Sequence, residues 1–142
     1  MAQRRTDLAM EAHALWREQA GAGRRLRGVR SERNRVEGYE THVVDVLDEQ
    51  GAKELGKPRG RYITLELNGL LRREEDSFAR AVRAVAGLLE PMLPSAGEAL
   101  VVGLGNRAIT PDLVGPLAVE HTLVTRHLVE RLEIFGHLRP VA

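Results

Sequence analysis

Asp112 is the side chain whose surroundings best suit it for chemistry. It lies in the stretch VVGLGNRAITPDLVGP, residues 101–116. The apolar run Ala99-Leu-Val-Val102 just before has the pattern of a short buried strand. It empties into a Gly-Leu-Gly-Asn turn and then into Thr110-Pro111-Asp112. Open α/β sheets place their chemistry just past the carboxyl ends of strands. A carboxylate ten residues beyond such a strand is therefore a candidate general acid or base. A quieter role competes, because aspartate after Thr-Pro is also a good turn former and helix cap. On the residues alone, the structural role is the simpler one.

Other chemistries are less well supported. Gly103-Leu-Gly105-Asn-Arg-Ala108 fits the dinucleotide pattern G-x-G-x-x-A. That motif needs a helix to begin within the glycine turn, so that its amino end meets the pyrophosphate. Pro111 would fall inside such a helix and pushes Thr110 toward extended geometry. The five histidines form no H-E-x-x-H motif. His127 and Glu130 could share a helix face at i, i+3, whereas His121 and His127 diverge, so no metal or other cofactor is expected. Ser31, Ser77 and Ser95 sit in turn or cap contexts without a G-x-S-x-G elbow. The absence of cysteine excludes a thiol nucleophile and a disulfide framework.

At 142 residues the chain is long enough to bury a core as one domain. Aromatic residues make up only 4%, so that core must be built from Leu, Val and Ala. No apolar run reaches the length of a membrane span, and the first residues, Met-Ala-Gln-Arg-Arg, are not those of a secretory signal. These features lead us to expect a cytoplasmic protein. A formal net charge of +1 argues against a strong duplex-binding surface. Arginines do cluster between Arg24 and Arg35, but no aromatic residue interleaves them for base stacking. A solvated loop, or an edge strand protected by its charge, explains them more simply.

The elements that must position these groups can be sketched from patterning. Thr6-Asp7 caps an amphipathic helix through Leu8, Ala12, Leu15 and Trp16 that ends at Gly21-Ala-Gly23. Thr41–Leu47 and Tyr62–Leu67 are neighbouring strands, with a helical turn at Ala52–Leu55 between them. Asp76-Ser77 opens a helix whose apolar face is Phe78, Ala81, Val82, Val85, Leu88 and Leu89. Another starts at Pro116 and buries Leu117, Val119 or Glu120, Leu123, Val124 and Leu128. Strands alternating with helices predict an α/β fold, a three-layer sheet with helices on both faces.

The words GLGN, TPD-L-x-GP and LVTRHL, with EQGAKELGKP-x-G-x-YITLE upstream, resemble the germination proteases of spore-forming bacteria. Those enzymes are endopeptidases that degrade the small acid-soluble proteins coating spore DNA. The resemblance runs along nearly the whole chain. It implies a peptidase/phosphorylase-like fold, an aspartic-type mechanism and a homotetramer acting in the interior of the developing spore. It implies no direct contact with nucleic acid or membrane. The aspartate of the TPD motif is one of two carboxylates assigned to catalysis in the family, and Asp112 stands on it. A pair suits peptide cleavage: one carboxylate takes a proton from water while its neighbour, kept protonated by repulsion, donates to the scissile group.

The family is also made as a zymogen that removes a short propeptide by self-cleavage. It cuts after an acid and before a hydrophobic residue followed by alanine, with another acid downstream. Asp7, Leu8, Ala9 and Glu11 occupy those positions. The resemblance thus divides the chain into a propeptide, 1–7, and the amino-terminal portion of one peptidase domain, 8–142. Full germination proteases are more than twice as long, so the chain is expected to be truncated, without the second catalytic aspartate and inactive alone. The G-x-G-N turn followed by an acid also resembles hydrogenase-maturation peptidases, where acids and a histidine bind a metal. A metal-dependent peptidase of that type, or a noncatalytic assembly domain, is the alternative.

Overall fold

A computed structural model describes residue 6, residues 8–20 and residues 26–142. It divides into two compact units, the first ending at Met92 and the second spanning Leu93–Ala142. The first is built on a three-stranded antiparallel sheet of order β1-β2-β3, with β1 Val29–Val36, β2 Tyr39–Val46 and β3 Gly60–Leu65. Arg30, Arg33 and Arg35 of the arginine-rich segment thus lie on an edge strand. Its charged, exposed residues disfavour further pairing at the open edge. β1 and β2 are joined by Glu37-Gly38, with φ of 50° and 84°. Two consecutive left-handed residues match the right-handed twist of the strands they connect.

β2 is buried on both sides. On one face Val44 and Val46 pack with Ala9, Leu26 and Leu55, bringing in helices α1 (Ala9–Ala20) and α2 (Glu49–Leu55). On the other, Tyr39 packs with Ala81 and Ala84 of α4 (Ser77–Leu89), beside Leu70 of the short α3 (Asn68–Leu71). The pairing of Thr41–Leu65 and Val43–Ile63 confirms that the two expected strands are neighbours, in antiparallel register. The helical turn between them is α2, capped by Asp48, whose carboxylate accepts from Gly51 N at 2.8 Å.

The helix opened by Ser77 forms as expected, but its buried stripe differs. Ala81 and Ala84 face the sheet, while Phe78 is 72% exposed and Val82, Val85 and Leu89 are also exposed. Small residues let α4 approach Tyr39, whose hydroxyl donates to Ser77 O at 2.6 Å. Larger side chains on that face would hold the helix off.

In the second unit two expectations are corrected. Ala99–Val102 is no buried strand: Ala99 makes a single parallel bridge with Val141, and Leu100 and Val102 are 75% and 65% exposed. A buried strand needs neighbours on both sides, and among the described residues only the last three of the chain pair with this run. The single helix expected from Pro116 to Leu128 is two, α5 (Val114–Glu120) and α6 (Arg126–Arg131). The break falls at Thr125. Its hydroxyl donates to Arg139 O and accepts from Val141 N, so the backbone there serves the chain's last residues instead of a helix. Thr122, Val124 and Thr125 are β-branched and weaken helix continuation.

Candidate functional site

Asp112 closes a 3-10 turn, Thr110–Asp112, between the glycine turn and α5. Ile109 before it is extended, and Pro111 supplies the fixed φ of the turn's start. Two bonds hold the turn, Asp112 N to Ile109 O at 2.9 Å and Leu113 N to Thr110 O at 3.3 Å. Asn106 organises the approach: its Oδ1 accepts from Ala108 N at 2.9 Å, and its carbonyl from Ile109 N at 3.1 Å.

The glycines explain why this motif has its composition. A Cβ on Gly105 would lie 2.0 Å from Asp112 O, and one on Gly103 would lie 2.2 Å from Gly115 O. The contact is reciprocal, since a Cβ on Gly115 would sit 2.0 Å from Leu104 O. The glycine turn and the Asp112 turn therefore touch backbone to backbone, which only residues without side chains allow. An ion pair, Arg107 to Glu120 at 3.2 Å, ties the loop to the end of α5.

The Asp112 carboxylate is exposed, and it makes no hydrogen bond or ion pair among the described residues. It is free to meet a water or a second carboxylate, a poise unlike that of Asp48, whose carboxylate is spent on a cap. The geometry also removes the dinucleotide reading. The helix that would carry a pyrophosphate begins at Val114, well past the glycine turn, with a 3-10 turn between.

The cleavage-site residues are divided. Asp7 lies outside the described residues. Leu8 is exposed, Ala9 is buried at the start of α1, and Glu11 accepts a hydrogen bond from the Thr6 hydroxyl. That hydroxyl also accepts from Leu8 N at 3.2 Å, and Lys57 Nζ donates to Thr6 O at 2.8 Å.

Among the remaining candidates, His121 spends Nδ1 on Leu117 O at 2.9 Å, a helix-end contact. His127 and Glu130 join no cluster of metal-ligating groups among the described residues. What the linear spacing of histidines missed is a group formed across the sheet, Glu40, His42 and Glu66. The signal was available in the period of two, which places Glu40 and His42 on one face of β2. Its third member needed the strand register. Asp45 is also buried, gripped by Arg61 Nε at 2.7 Å and Arg30 at 3.0 Å. The Arg61 hydrogen bond, the largest influence, holds its carboxyl below the usual range against the opposing effect of burial, with Arg30 assisting.

Residues 9–141 match the family described as germination protease, and the chain belongs to that family. It is 43% identical over 128 residues to the germination protease of Caldanaerobacter subterraneus subsp. tengcongensis, covering 89% of this chain and 38% of that protein. It is 40% identical over 142 residues to that of Clostridium perfringens strain ATCC 13124, covering 96% of this chain and 43% of the relative. With the Bacillus licheniformis protein the figures are 38% over 134 residues, 89% of this chain and 36% of the relative. The chain thus spans about two fifths of the length of these relatives. No helix among the described residues is long and apolar enough to cross a membrane.

Proposed function

We propose that this chain is the amino-terminal portion of an endopeptidase that degrades small acid-soluble spore proteins, and that Asp112 is one carboxylate of its catalytic pair. The observation that carries the reading is Asp112 itself. In a chain of the germination protease family, this carboxylate is exposed, and unpartnered among the described residues, on a turn fixed by backbone contact with the glycine loop. A carboxylate that caps a helix is committed, whereas one that activates water must be accessible and held in place.

The mechanism follows from pairing. A second carboxylate, which we place in the part of such a protein beyond this chain, would raise the proton affinity of one member by repulsion while the other stays ionised. The ionised carboxylate removes a proton from the attacking water, and the protonated one donates to the leaving amine. The same portion would supply strands beside Ala99–Val102, completing a three-layer, peptidase/phosphorylase-like sheet whose carboxyl ends present Asp112. Residues 1–7 are then a propeptide, removed by self-cleavage between Asp7 and Leu8, and the working enzyme is a tetramer in the spore interior.

The test is a full-length protein carrying Asp112→Asn, assayed on a peptide with the acidic-hydrophobic-alanine pattern. Loss of turnover with normal folding is the expected result. A fall of only a fewfold would make Asp112 structural.

A further inference from the structure

We propose that Glu40, His42 and Glu66 form a binding site for a divalent transition-metal ion of the zinc type on the three-stranded sheet. Alternation along β2 puts Glu40 and His42 on one face. Glu66 lies just past β3, and its backbone N–H donates to Glu40 O at 2.9 Å, which brings the two acids side by side. One ligating atom from each of the three groups lies within 4.8 Å of the others. Donors about 2.0–2.2 Å from a tetrahedral zinc ion are about 3.3–3.6 Å apart. Closing the site therefore needs side-chain shifts of up to about 1.5 Å, which the more exposed glutamates Glu40 and Glu66 can make.

The imidazole is the fixed member. Its side chain is only 9% exposed, and Nε2 points at Glu66 Oε1 at 3.1 Å. Like charges set opposite each other on neighbouring strands repel. Here the offset to Glu40 is a single ion pair with Arg35 at 3.3 Å, in which both side chains are more than half exposed. An exposed pair of this kind is worth little and is readily exchanged. Arg33 stands opposite His42 on β1, so a local positive charge also opposes a cation. The two carboxylates must outweigh it.

One imidazole nitrogen with two carboxylate oxygens suits zinc and its neighbours better than calcium or magnesium, which take oxygen donors. On binding, Nε2 offers its lone pair to the ion, Arg35 releases Glu40, and a coordination position stays open to water. This site rests on the sheet alone and does not depend on the role of Asp112.

The experiment is calorimetric titration of zinc into the 142-residue chain, with magnesium as the comparison. One equivalent of zinc should bind, and magnesium should not. Groups that only support a ligand are worth about 10–100-fold in metal affinity, so removing a ligand by Glu66→Gln or His42→Asn should cost at least about tenfold. Glu66→Gln keeps an oxygen to accept from His42 and so preserves the fold, which decides the matter if His42→Asn fails to fold. Arg35→Ala frees Glu40 and should tighten binding by up to about fivefold, the worth of an exposed ion pair. Absence of zinc binding would overturn the proposal. So would undiminished binding by Glu66→Gln, which would place the ion on exposed histidines such as His127 and His137.

Discussion

Gly105→Ala should unseat the Asp112 turn, and the structure sets the size of the effect. The new Cβ would meet Asp112 O at 2.0 Å and Pro116 Cδ at 2.9 Å, and Gly105 has φ of +152°. Neither obstacle is a flexible side-chain tip, so relief requires movement of the backbone. Forced overpacking of this kind costs about 1–3 kcal/mol. A side chain in the left-handed half of the backbone map adds about 1–2 kcal/mol. The sum, about 2–5 kcal/mol, falls on residues 93–142, so the assay must read that unit by itself. Native-state amide exchange across a urea series does so, with the same unit of the unaltered chain as reference. Gly87→Ala is the control. It lies in α4 with no atom within 4 Å of the added Cβ, and should stabilise the first unit by about 0.5–1 kcal/mol. If Gly105→Ala left the second unit within about 0.5 kcal/mol of the parent, the backbone contact would not position Asp112 and the reasoning would fail.

Further predictions concern charge and processing. Because Asp45 titrates below its ordinary value when folded, its contribution is complete above about pH 3.9, the unfolded value, and is lost as pH falls through the folded one. Asp45→Asn should therefore lower stability at neutral pH and flatten the acid limb of a pH–stability curve. An unchanged acid limb would show that the two arginines contribute nothing. In a full-length zymogen, mass spectrometry should find the mature amino terminus at Leu8. Thr6→Gly, which removes the hydroxyl bonded to Leu8 N and Glu11, should speed maturation modestly, while Asp7→Lys should slow it sharply. A different terminus would refute the cleavage assignment. The 142-residue chain alone should not cleave an acidic-hydrophobic-alanine peptide, and robust cleavage would show that Asp112 needs no partner beyond this chain.

The parts of the fold legible in the sequence were those with a plain local signal. β2 is rich in β-branched residues, Tyr62–Leu67 alternates through β3, and Ser77 opens α4. β1 was legible only as an alternative to a solvated loop, because VRSERNRV is polar on both faces, as an edge strand can be, and its hairpin turn is Glu-Gly instead of a commoner Asn-Gly or Asp-Gly pair. The α4 stripe misled because large apolar residues outscore alanine in any pattern, although Ala81 and Ala84 are the ones that fit against Tyr39. The strand at Ala99–Val102 misled differently. Its composition anticipates neighbours that residues 93–142 do not supply. Asp112 was visible from Thr-Pro and the glycines around it, yet the reason for those glycines, backbone against backbone, emerged only in three dimensions. Of the Glu40–His42–Glu66 group only the first two were legible, from the period of two, because Glu66 joins them across strands.

The most direct measurement compares full-length protein with Asp112 and with Asp112→Asn, each checked for folding, on one acidic-hydrophobic-alanine peptide. The exposed carboxylate holds no structural bond among the described residues, so the variant should match the parent's unfolding free energy to within about 0.5 kcal/mol. Its turnover should fall to background, because asparagine cannot accept a proton. Turnover within a fewfold of the parent, at equal stability, would contradict the assignment of Asp112 to catalysis.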